Sequence, residues 1–205
     1  MNNEILLALK EKFAQSERKI TVLDPDPNSI DIIKSKSAWN WEISETSLLG
    51  AIVYETGGII FDGWVRVLGS GERNIADWNN TLKLNGVLIV ADDILGGLFG
   101  LNIETDFIYY FAPDTLRWEE MNVTYAQFIR WLTEGNVDTF YESFRWNGWE
   151  DEILSLTFSD GISFYPPLWT KEGGKSRKPI SLKEIVLLSL EMQRTLDTQN
   201  DNPAE

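Results

Sequence analysis

The sequence predicts an α+β fold in which an antiparallel meander packs with helices. Two observations predict the sheet. Short apolar runs follow one another with connections too short for crossover helices, and an Asp-Gly pair at 62–63 sits between two of those runs. A third predicts the helices: Thr124 with Gln127 and Ser181 with Glu184 carry capping-box spacing ahead of helix-period apolar residues.

In chain order, Leu6, Leu7, Leu9 and Phe13 mark an amphipathic helix ending near Ser16, and Ile20 to Leu23 is a short apolar run. Asp24-Pro25-Asp26-Pro27-Asn28 then reads as a turn. Its acidic spacing superficially suits a calcium loop, but the two prolines, the missing sixth-position glycine and Ser35 at the closing position contradict that. Glu45 to Tyr54 predicts a helix stopped at Gly57-Gly58, followed by a hairpin of Ile59–Phe61 and Trp64–Leu68.

Leu88–Ala91, Leu98–Leu101 and Ile108–Phe111 are further strands, the first two separated by the corner Leu95-Gly96-Gly97. Ala112 to Thr115 turns the chain. The Thr124 box opens a helix through Phe128, Ile129, Trp131 and Leu132 that closes at Gly135, and more helix is expected over 137–144 and 149–154. Ile162–Tyr165 is a strand ending at Pro166-Pro167, Lys171 to Lys178 is expected to be a mobile loop, and Ser181 opens the last helix. The expected organisation is one domain over 1–195 with a disordered tail over 196–205.

Composition removes whole classes of chemistry. Among the 205 residues there is no cysteine and no histidine. Thiolate nucleophiles, disulfides, Cys-ligated metals and histidine acid–base catalysis are therefore excluded, leaving carboxylate, lysine, tyrosine and hydroxyl groups. No run approaches the roughly 18 apolar residues of a membrane span, and the N-terminus lacks a secretory pattern, so a cytoplasmic location is expected. A formal charge of -14, from 32 acidic and 18 basic residues, argues against nucleic acid and anionic membranes as partners. A basic protein would be attracted.

No motif names a cofactor. Gly173-Gly174-Lys175-Ser176 has the ending of a phosphate-binding loop, but Trp169 stands where its first glycine is required. Gly69-Ser70-Gly71 matches neither a nucleophile elbow nor a dinucleotide fingerprint and reads as a turn. Asp92-Asp93, with Asp62 and Asp114, could supply a glycosidase carboxylate pair or magnesium ligands. Neighbours on an extended strand point to opposite faces, however, so Asp92 and Asp93 need not cooperate. Most of the nine tryptophans belong in a core, and Trp146-Asn147-Gly148-Trp149 is where tryptophan is expected to stay partly exposed. The candidate binding surface is thus Asp62, Trp64, Asp92, Asp93, Asp114, Trp118, Trp146 and Trp149.

The runs Gly63-Trp64-Val65-Arg66-Val67-Leu68-Gly69, Ala91-Asp92-Asp93-Ile94-Leu95-Gly96-Gly97, Tyr110 to Glu119, Arg145 to Trp149 and Gly161 to Pro166 resemble a bacterial family catalogued as domain-of-unknown-function family 2625. The resemblance covers roughly Ser44 to Ile185. More distantly, a helix ending in Gly-Gly, a meander with Asp93-Ile94-Leu95-Gly96-Gly97-Leu98-Phe99-Gly100-Leu101, and a capped helix with Phe128, Trp131 and Leu132 are similar to the SUKH superfamily. That resemblance implies an α+β fold and an immunity-type protein that binds and neutralises a toxin. Three functions are expected from these readings: a protein-binding module with a basic partner such as a toxin, a carboxylate-dependent enzyme acting on a sugar or phosphate ester, and a structural or self-associating protein.

Overall fold

Asp62 and Gly63 adopt left-handed backbone, with φ of 53° and 70°. This is what a tight hairpin turn requires, and it joins β2 (Gly58–Phe61) to β3 (Val65–Leu68). The computed structural model describes residues 2–35, 39 and 41–201. Around that hairpin the strands β1 (Ile20–Leu23), β4 (Val87–Asp93), β5 (Leu98–Asn102), β6 (Phe107–Ala112) and β7 (Arg117–Thr124) complete a seven-stranded antiparallel sheet in strict chain order. It is the meander that the sequence predicts. The central strands β3 and β4 are buried on both faces, which is why they read as nearly continuous apolar runs.

Helix α1 (Asn2–Gln15) packs on α3 (Leu48–Glu55) and places Phe13 edge-on against Phe61 at 5.7 Å. The Thr124 capping box is formed, and it starts α5 (Tyr125–Glu134), which seats Phe128 against Phe99 at 4.8 Å. Phe61, Phe99 and Phe128 are almost completely buried, each contributing about 1.5–3 kcal/mol of hydrophobic stabilisation. A separate hairpin, β8 (Asp160–Tyr165) with β9 (Ser176–Ser181), leads into α8 (Leu182–Asp201). Ile162 N–H donates to the Ile94 carbonyl at 2.7 Å, tying this arm to the meander.

Several elements differ from the sequence-based expectation. Asp24–Asn28 is more than a turn: Asp26 accepts from the N–H groups of Asn28 and Ser29, and Pro27 occupies the first position of α2 (Pro27–Lys34). Helix α4 (Ile75–Leu82) is unanticipated, capped by Asn74 and ended by Lys83 at φ 50°. Strand β7 was also not expected. The helix expected over 137–144 is one turn, α6 (Val137–Phe140), followed by turns. The one expected over 149–154 is α7 (Trp149–Glu152) with a 3₁₀ turn at Ile153–Ser155. Ser176 to Lys178, expected in a mobile loop, pair with Tyr165, Phe164 and Ser163 in β9. Of the expected tail, α8 covers the backbone through Asp201, and 202–205 lie outside the described residues.

Candidate functional site

One cross-strand row of the meander carries Thr21, Ile60, Arg66 and Asp92 side by side on the same face. The first three form the floor of an open cleft of about 970 Å³. Its walls come from the end of α1 with residues 16–19, the 62–63 turn, the end of α5 with Asn136 and Asp138, and the segment from Trp149 to Thr157. Gly63 is favoured at this turn by its left-handed backbone, and a Cβ there would approach Ile153 Cδ1 to 3.1 Å.

Arg18 organises one wall. Its Nη1 donates to Asp62 Oδ2 at 2.6 Å, and its Nη2 donates to the Gly135 carbonyl at 2.8 Å and reaches Asp138 Oδ2 at 3.5 Å. Lys19 N–H donates to the other Asp62 oxygen at 3.0 Å, so Asp62 is held rigidly at the tip of its turn. Asp138 also accepts from Arg145 Nη1. Two nearly buried guanidiniums, with side chains 12% and 11% exposed, thus share a carboxylate that is 65% exposed.

Arg145 sits in an aromatic box. Its guanidinium lies 4.3 Å from the Trp149 ring centre and 5.2 Å from that of Trp64, and Trp64 meets Trp149 edge-on at 5.0 Å. Trp146 packs against Trp64 at 5.8 Å and donates through Nε1 to Glu152 Oε2 at 2.7 Å. Arg177 of β9 stacks over Trp146 and pairs with the same glutamate at 2.8 Å. This clamp fixes the 146–149 loop and leaves Leu154, 69% exposed, as an apolar ledge on the cleft rim.

The hydrogen bond from Arg145, with the charge of Arg18 nearby, holds the Asp138 carboxyl below its ordinary range, and Arg177 does the same for Glu152. A carboxyl whose folded pKa is depressed contributes stability above its unfolded value and loses it as pH falls through the folded one. The unfolding midpoint followed by tryptophan fluorescence should therefore fall as pH drops below about 4. Replacing Asp138 with Asn should flatten part of that slope.

The predicted site residues do not form one surface. Asp62 and Trp149 line the cleft, with Trp64 and Trp146 packed behind Trp149. Trp64, Asp92 and Asp93 are inaccessible, which corrects their place in the expected binding surface. Asp92 and Asp93 point to opposite faces of β4, as strand geometry demands. Asp92 pairs through both oxygens with Arg73, while Asp93 accepts from Leu95 N–H and Gly97 N–H, both at 2.9 Å, and from the hydroxyls of Tyr110 and Tyr141 at 2.8 and 3.0 Å. Burial pushes the Asp93 carboxyl up from its ordinary range, against the opposing effect of these four donors, and raises both tyrosines well above theirs.

Asp114 lies in the turn after β6, and Trp118 packs on Phe111 at 5.3 Å in β7. An enzyme was expected to bring at least two of the carboxylates Asp62, Asp92, Asp93 and Asp114 into one cleft, but of these only Asp62 lines it, and among the described residues no group of three could hold a metal. Asp26 serves as a helix cap, and the Gly173–Ser176 segment is a turn entering β9 in which Lys175 pairs with Glu172. Arg18, Arg66, Asp138, Arg145 and Leu154 were not anticipated. Arg66 alone left a trace, as a lone cation inside the apolar run 64–68.

No helix among the described residues is long and apolar enough to cross a membrane. The chain is 38% identical over 167 residues to the putative uncharacterized protein YbfG of Escherichia coli strain K12, covering 75% of this chain and 77% of that protein. It is 33% identical over 168 residues to an uncharacterized protein of Haemophilus influenzae, covering 71% and 74% respectively. No solved structure matches it. The family model described as "Protein of unknown function DUF2625" matches residues 2–185, and the chain belongs to that family.

Proposed function

We propose that this protein is a binding module that engages a basic protein partner in the cleft between the 62–63 turn, α6 and the Trp149–Thr157 segment. The observation that carries this reading is the exposed Leu154 with Trp149 on the cleft, in a lining where Glu17, Asp62, Glu134, Asp138 and Glu150 outnumber Arg18, Lys19 and Arg66. An aromatic and aliphatic centre supplies affinity, and surrounding charge supplies steering and selectivity. The net charge of -14 extends that steering beyond the cleft. A toxin is the partner that the sequence's resemblance to the SUKH superfamily favours, and the cytoplasm is the compartment that suits such a pairing.

Affinity capture from lysate of the producing cells, at low and high salt, tests the reading. A stoichiometric basic protein should be recovered at low salt, less at high salt, and much less by the Leu154→Glu variant. Equal recovery by that variant would place the interaction elsewhere. A second reading, self-association, draws on the exposed Leu187, Leu188 and Leu196 of α8. Light scattering that finds a dimer at micromolar concentration would support it.

A further inference from the structure

The floor of the cleft buries more positive than negative charge. Arg66 and Arg73 are 2% and 9% exposed, and they stand beside the single carboxylate of Asp92. Both Asp92 oxygens are taken by Arg73. Arg66 instead donates from Nη1 alone to the carbonyls of Phe158 and Asp160. The Asp160 carboxylate is engaged elsewhere, accepting from Thr157 N–H at 2.9 Å and its hydroxyl at 2.7 Å. Among the described residues, no carboxylate forms an ion pair with Arg66.

A buried guanidinium that shares one carboxylate with a second guanidinium is incompletely neutralised, and carbonyl dipoles offset that only in part. Burial lowers the pKa of Arg66 to about 10, with the Asp92 charge opposing that shift and the Arg73 charge adding to it. Among the described residues, Arg18, Arg73 and Arg145 each form an ion pair with a carboxylate, whereas Arg66 only shares the field of Asp92. Arg66 is also fixed, held by two carbonyls, and its guanidinium and that of Arg73 lie 6.0 and 4.7 Å from the Phe158 ring. A held guanidinium that lines a cavity with only its Nη1 hydrogen-bonded among the described residues leaves the Nε and Nη2 edge for planar bidentate recognition of an oxyanion.

We infer that Arg66 is an anion-recognition residue that receives a carboxylate from the cleft's occupant, such as the C-terminal carboxylate of a basic polypeptide segment. Carboxylate rather than phosphate follows from the lining, where Glu17, Asp62, Glu134, Asp138 and Glu150 outnumber Arg18, Lys19 and Arg66: the excess negative charge repels a dianion but attracts cationic groups flanking a single carboxylate. The inference rests on the binding reading of the cleft and sharpens it.

Isothermal titration of the full chain with a lysine-rich heptapeptide ending in a free carboxylate, and with the same peptide ending in a carboxamide, tests it. The acid should bind at least tenfold more tightly. That ratio should shrink in Arg66→Lys, which keeps the buried charge but not the fork, and vanish in Arg66→Gln where that variant folds. Leu154→Glu should weaken both peptides and preserve their ratio. Equal binding of the two peptides, a ratio undiminished in Arg66→Lys, or stronger competition by inorganic phosphate than by acetate at matched ionic strength would overturn the inference and leave the binding reading standing. Binding of neither peptide would count against both.

Discussion

Replacing Asp92 with Asn is expected to destabilise the protein by about 3–5 kcal/mol, although the side chains have nearly the same shape. Asp92 is the negative charge between Arg73 and Arg66, all three are buried, and both of its oxygens are paired with Arg73. The amide cannot neutralise two guanidiniums, and its NH₂ group would point a donor at a donor. Chemical denaturation of the two proteins should give the difference directly. Asp92→Asn combined with Arg73→Met should recover part of the loss, because the double change removes the uncompensated cation along with its partner.

Asp93, one residue away, is expected to behave in the opposite manner. Asn should be tolerated there at about 1 kcal/mol, since the carboxyl faces no cation and only the count of hydrogen bonds is at stake. The amide oxygen can accept from the N–H groups of Leu95 and Gly97, and the amide NH₂ can donate to the oxygens of Tyr110 and Tyr141. Ala would orphan all four buried donors and is expected to cost about 4 kcal/mol, lowering the melting temperature by roughly 8–16 °C for a chain of this length. The site has no slack for rearrangement: a Cβ on Gly97 would lie 2.3 Å from Asp93 Oδ2 and 2.4 Å from the Tyr110 hydroxyl. A melting temperature for Asp93→Ala within 3 °C of the Asn variant would mean that this network is not what holds the corner after β4.

Legibility in the sequence tracked how local the deciding interactions are. The Asp62-Gly63 hairpin and the Thr124 capping box were readable because each is decided within four residues. Helix α2 is hard to read because its cap, Asp26, lies inside a Pro-rich stretch, and the same Pro27 that breaks structure before it starts the helix. Helix α4 is only eight residues, and its register is set by Asn79, which bonds in both directions with Ile89 on β4. Strand β7 hid behind Glu119, Glu120 and the left-handed Asn122, whose irregular pairing with β6 breaks the period of two.

The site was less legible than the fold for a related reason. Asp62 and Trp149 were singled out by chemistry and neighbouring turn residues, and both line the cleft. Arg18 reaches it through contacts with Asp62, Gly135 and Asp138, which lie 44 to 120 residues away. No local pattern encodes such a meeting. Asp92 and Asp93 misled in the other direction, because acidic residues are expected at the surface and burial by specific partners is a tertiary property.

Site-specific photo-crosslinking at position 154 tests the binding cleft most directly. A photoreactive residue in place of Leu154, in the full chain expressed in its own cells, should give a discrete adduct with a basic protein, and that adduct should weaken when Asp62 and Asp138 are both changed to Asn. The same residue in place of Leu7, which is 58% exposed on α1, should give no matching band. An adduct of equal yield from both positions, or none from position 154, would contradict the assignment of the cleft as the binding surface.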